Sequence, residues 1–162
     1  MRGHHGAAVP PYTRDEIEQQ WARYQKVARR CGPAGNWDEF ADLYTEDAVM
    51  AVSGGVRIGG REAIRRWYRE AFAKEPMRSL HYYPVEWYMI DEHRGWLACQ
   101  FWNRMADPGD GSIHQFACFS LLKYAGDGLW SWEEDKLDPA EIEAVFESWR
   151  DAKRRCGSPI EA

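Results

Sequence analysis

Three side chains of complementary chemistry stand in the second half of the sequence: His81 in SLHYY, Arg104 in FWNRM and Glu134 in SWEEDK. An imidazole and a carboxyl can move protons near pH 7 once burial has shifted their pKa values, down for His81 and up for Glu134. Arg104, or the phenol of Tyr83, can hold the enolate oxygen that such a transfer creates. Proton abstraction beside a carbonyl is the step shared by aldol cyclization, dehydration and isomerisation. The bland reading of the same residues is an Arg104–Glu134 ion pair beside a hydrogen-bonded core histidine.

Positioning these groups requires a sheet. Thr13 and Glu16 form a capping box that opens a helix over about 14–31, with Ile17, Trp21, Tyr24, Ala28 and Cys31 at helical spacing. Asn36 caps a short second helix that carries Trp37, Phe40, Leu43 and Tyr44. A hairpin turns at Gly54-Gly55, and a third helix spans about 61–74 with Trp67 on its inner side. Long strands are predicted over about 79–90, 95–105, 112–124 and 129–136. Asp138 and Pro139 then start a last helix. Helices must cover one face of this mainly antiparallel sheet. The expected fold is α+β, a cone-shaped half-barrel with three helices on the concave side of a strongly curved sheet and a C-terminal helix. It forms one domain over 11–157, between a disordered N-terminal tail at 1–10 and a C-terminal tail at 158–162.

Alternation along the strands then predicts which residues share the concave face. Centering the first long hairpin between Glu92 and His93, and the next on Gly109, places His81, Tyr83 and Trp87 with Trp102 and Arg104. His114, Phe116, Cys118 and Ser120 join them from the third strand. A three-residue turn before the fourth strand adds Trp132 and Glu134; a two-residue turn would bring in Glu133 instead. A slip of one residue in any turn exchanges the two faces. Trp67, Tyr83, Trp87, Trp102, His114, Phe116, Cys118, Ser120 and Trp132 are thus the candidate substrate contacts.

Composition narrows the partners. The 162 residues carry a net charge of −5, which argues against nucleic acid and anionic membranes. No apolar run approaches the roughly 20 residues needed to span a bilayer, and a cytoplasmic location is the expectation. None of the four cysteines lies in a C-x-x-C pair, and no nucleotide-binding loop or metal set is present, so no cofactor is expected. Nine tryptophans in a chain this size suggest that some wall a cavity for a small hydrophobic molecule.

NWDEFADLYTEDAVM, GGREAIRRWYREAF and the segment from HYYPVEWYMIDE through YAGDGLWSWEEDKLDP resemble the SnoaL-like, polyketide-cyclase-like branch of the nuclear transport factor 2-like superfamily. The resemblance covers nearly all of residues 13–155. It implies the cone fold, a homodimer through the outer sheet face, and a lyase or isomerase acting on a polyketide, terpenoid or steroid-like ring compound. Noncatalytic ligand-binding or protein-binding relatives give the alternative. His81 matches a catalytic histidine of scytalone dehydratase, whose second histidine is replaced here by Arg104 or Trp102. Cys118 lies near that enzyme's substrate-binding asparagine. Glu134 matches a carboxylate of SnoaL-like cyclases and limonene epoxide hydrolases. Ser120 stands where ketosteroid isomerases place an oxyanion-hole aspartate. Arg29, Arg30 and Cys31 occupy the region where many relatives carry an acidic residue.

Overall fold

A computed structural model describes residues 11–157. The two predicted tails lie outside the described residues. Helix α1 spans Arg14–Ala34 and begins at the predicted capping box, with Glu16 N–H donating to Thr13 Oγ1. A short 3-10 helix, Asp38–Leu43, follows, and strands β1 (Tyr44–Val52) and β2 (Val56–Gly59) form the first hairpin. Helix α2 covers Arg61–Ala71. The predicted strand over 79–90 is split into β3 (Leu80–Tyr82) and β4 (Val85–Asp91). Pro84 sits at the break because it has no N–H for the ladder. Strands β5 (Trp96–Met105), β6 (Gln115–Gly126) and β7 (Leu129–Lys136) complete the sheet, and α3 (Pro139–Arg155) closes the chain.

The strand order is β2-β1-β7-β6-β5-β3, with β4 also paired to β5. Only the β1–β7 pair is parallel. The sheet is curved and open, as expected. Helices α1 and α2 with the 3-10 turn fill its hollow, and α3 packs Phe146 edge-on against Phe116 of β6. Trp149 of α3 is buried and donates its indole N–H to the Ala106 carbonyl at 2.8 Å.

Three irregularities decide which way side chains point. Between β3 and β5, one residue separates Leu80 from Tyr82 while their partners Met105 and Arg104 are adjacent, so His81 is the extra residue of a bulge. Glu86 is extra in the same sense between β4 and β5, and Ser131 between β7 and β6. The β5–β6 register pairs Arg104 with Gln115 and Asn103 with Phe116. The expected register paired Arg104 with His114; the observed one is shifted by a residue. β6 therefore keeps its predicted inner face, while β5 turns the opposite set inward: Cys99, Phe101, Asn103 and Met105 are buried.

Helix α1 lies hard against β3. A methyl group at Gly32 would enter the contact distance of the His81 carbonyl oxygen and stand 3.1 Å from the Tyr83 ring. Gly32→Ala should therefore destabilise the fold by about 1–3 kcal/mol through overpacking. A lower urea midpoint at unchanged slope is the expected readout; an unchanged midpoint would show that α1 is free to move off the sheet.

Candidate functional site

The hollow between the helices and the sheet retains a cavity of about 120 Å³. Its floor and sides are aromatic. Trp21 and Tyr24 of α1 stack at 5.1 Å, Trp37 stacks on Tyr68 at 5.3 Å, and Phe40 sits edge-on to Tyr24 at 4.8 Å. Trp67, Tyr83, Phe101 and Phe116 continue the wall. Half-buried Gln25, Met77 and Ile142 also line it, which opens it toward the surface. The volume is on the scale at which a single benzene-sized molecule is held.

Two carboxyls reach this cavity, Glu133 and Asp135, both from β7. Their spacing of two residues puts them on one face of the strand. Glu133 is 1% exposed. Its Oε1 accepts from the Tyr24 hydroxyl at 2.7 Å, and its Oε2 accepts from the Tyr44 hydroxyl in a close contact. Asp135 Oδ1 accepts from Ser120 Oγ in a close contact, and Ser120 Oγ lies 3.5 Å from Cys118 Sγ. Burial pushes both carboxyls above their ordinary values, and the charge of Asp135 adds to the rise at Glu133. Hydroxyl donors oppose the rise at each: Tyr24 and Tyr44 at Glu133, Ser120 at Asp135. Burial likewise raises the phenols of Tyr24, Tyr44 and Tyr68 well above their usual range. The Cys118 thiol is raised as well, chiefly by burial, which makes it a poor nucleophile.

The predicted trio does not meet in one hollow. Glu134 points away from the cavity and pairs with Lys136 at 2.7 Å, which holds its pKa below rather than above the ordinary value. The Ser131 bulge is the reason: it lets Trp130 and Glu133, three residues apart, both face inward. Of the two turn alternatives, the inward carboxyl is Glu133. Arg104 lies on the outer face, where its Nε donates to Gln115 Oε1 at 2.8 Å. His81 is half-buried at its bulge and is not part of the cavity wall; burial lowers its pKa, as expected, partly offset by Glu75.

Among the substrate contacts, Trp67, Tyr83, Phe116 and Cys118 do line the cavity. Ser120 is buried behind it on Asp135. Trp102 donates to Glu86 at 2.8 Å and Trp87 to Gln100 at 3.1 Å, both on the outer face. Trp132 is also outside, between Arg57 and Lys123. The shifted β5 register and the Glu86 and Ser131 bulges account for these reversals. His114 sits beyond the wall, bonded to Ser112 at 2.8 Å and Ser148 at 3.1 Å. Asp135, Tyr24 and Tyr44 were not singled out as site residues in the sequence. The one signal for them is the E-x-D spacing at 133–135, which alternation alone assigns to either face.

The SnoaL-like domain model matches residues 12–155, and the chain belongs to that family. Solved structures of the nuclear transport factor 2-like class share its fold. A protein from Jannaschia sp. CCS1 described as a SnoaL-like polyketide cyclase is 13% identical, with a TM-score of 0.64 over 88% of this chain and 99% of that one. A nuclear transport factor 2-like protein from Anabaena variabilis is 13% identical, with a TM-score of 0.60 over 82% of this chain and 96% of that one. SalBIII, an epoxide hydrolase/cyclase-like enzyme of pyran ring formation in the polyether salinomycin, is 12% identical at a TM-score of 0.60, covering 78% of this chain and 94% of that one. At these identities the likeness shows the fold alone. No curated protein matches the chain. No helix among the described residues is long and apolar enough to cross a membrane.

The raised carboxyls make stability depend on pH. The folded protein keeps protons that the unfolded chain, with ordinary values of 4.5 for Glu133 and 3.8 for Asp135, gives up. Their contribution is therefore complete below that ordinary range and is lost as pH rises through the raised values. Between about pH 5 and about pH 8, the wild type should lose melting temperature faster than a Glu133→Gln/Asp135→Asn variant. Parallel curves would assign the pH dependence to other groups.

Proposed function

We propose that this protein is a cofactor-independent enzyme that moves a proton on a small, apolar, oxygenated ring compound, as a cyclase, dehydratase or isomerase does. The observation that carries this reading is the pair of carboxyls on one wall of an aromatic cavity, each held by different hydroxyl donors. Repulsion across the pair favors one proton shared between two acids. Asp135 is the base that takes a proton from the carbon beside a carbonyl. Protonated Glu133 donates toward Tyr24 Oη, which frees the Tyr24 hydroxyl to donate to the developing enolate oxygen. Ser120 and Tyr44 orient the two carboxyls from behind.

A noncatalytic ligand carrier is the second reading. It is favored by one feature: both oxygens of Glu133 already have protein donors. The outer face also supports a homodimer. Tyr82, Trp87, Met89 and Phe119 are 48%, 38%, 63% and 49% exposed on it. Phe101, by contrast, faces the cavity.

Deuterium exchange beside the carbonyl of cyclohexanone, followed by NMR in heavy water, separates the two readings. Wild-type protein should accelerate exchange, and Asp135→Asn should lower the rate on the order of a hundredfold with the fold retained. Exchange unaffected by both Asp135→Asn and Glu133→Gln, or absent from the wild type, would leave the carrier. Sedimentation at micromolar concentration should show a dimer that Trp87→Glu/Phe119→Glu dissociates; a wild-type monomer would refute it.

A further inference from the structure

Every ionisable side chain lining the cavity is an acid: Glu133, Asp135, several tyrosines and Cys118. Among the described residues, no lysine, arginine or histidine lines it. About half of the lining residues are aromatic, and their faces are electron-rich. Elsewhere the protein supplies its own cations to its indoles. Arg94 lies 5.6 Å over Trp96, Lys123 is 5.1 Å from Trp96 and 4.7 Å from Trp132, Arg57 is 5.4 Å from Trp132, and Lys153 is 4.8 Å from Trp149. Among the described residues, no such partner sits on an aromatic of the cavity wall. Trp21, which lines the cavity, also has a buried indole N–H without an acceptor.

We infer that the ligand of this cavity carries a positive charge, as a protonated or quaternary amine attached to a small apolar body. This inference rests on the reading of the cavity as a ligand site and names the class of molecule it takes. Aromatic walls around carboxyls suit an ammonium group, because ring quadrupoles and carboxylates attract the same charge. An anionic ligand would meet two carboxyls with no cationic side chain of the lining to offset them. A cation beside the pair also changes what the pair can do. Two neighboring carboxylates repel each other in a dry site, and an ammonium group allows both to ionise. One carboxylate can then hold the amine while the other remains a base.

Binding of three ring-sized probes tests this by calorimetry. Phenyltrimethylammonium is the cation, tert-butylbenzene its neutral counterpart of the same shape, and benzoate the anion. Wild-type protein should bind the cation roughly tenfold or more tightly than tert-butylbenzene, and benzoate weakest. In Glu133→Gln/Asp135→Asn the preference should collapse to near parity, with tert-butylbenzene binding retained as proof that the cavity is intact. If that variant does not fold, Asp135→Asn alone should reduce the preference. Equal binding of cation and neutral probe by the wild type, or a preference that survives the substitutions, overturns the inference and leaves proton transfer on a neutral substrate standing. Binding of none of the probes overturns both the inference and the ligand cavity.

Discussion

The Glu133 carboxyl, taken out of water and held from two sides, is the constraint on which the interior depends. Tyr24 reaches it from α1 and Tyr44 from the start of β1, so one side chain of β7 fastens a helix and a neighboring strand to the same point. A buried carboxyl is costly unless its oxygens are satisfied. That cost dictates where the two phenols must stand, and they in turn fix the floor of the cavity. Phe40 packs edge-on against Tyr24, and Tyr68 stacks on Trp37. The hollow is shaped by polar anchoring from behind and by aromatic packing in front. It is not a void left over from poor packing.

Asp135, two residues on, shares that hollow but has different support. Its hydroxyl donor comes from β6 through Ser120, while Glu133 is served by phenols from α1 and β1. Unequal surroundings for two neighboring acids are what distinguish a base from an acid in a proton-transfer site. Membership in the SnoaL-like family fits either an enzyme or a carrier, because that fold hosts sites of different kinds.

Much of the architecture was legible because it is written in local signals. The capping box at Thr13, the Gly54-Gly55 hairpin and the Asp138-Pro139 helix start each appear where expected. Strand identity was legible too, since long alternating runs leave little choice. Facing was not. It depends on turn register and on single extra residues, and none of the bulges at His81, Glu86 and Ser131 has a glycine or proline at the extra position. One residue in the β5–β6 register sends Arg104 and Trp102 outward and brings in Phe101 and Asn103. One residue at Ser131 replaces Glu134 with Glu133. Phe116 and Cys118 were placed correctly because the errors fell on the partner strand. Thus a correct fold coexisted with a predicted trio dispersed over three environments.

The nine tryptophans are partitioned by the sheet. Trp21, Trp37 and Trp67 border the cavity, whereas Trp96 and Trp132 carry Lys or Arg side chains on the convex side. Indole emission responds to nearby charge and to water, so these groups form two optical populations in one molecule. Occupancy of the hollow would perturb the first population and leave the second as an internal reference. The chain thereby carries its own fluorescent gauge of whether anything is bound.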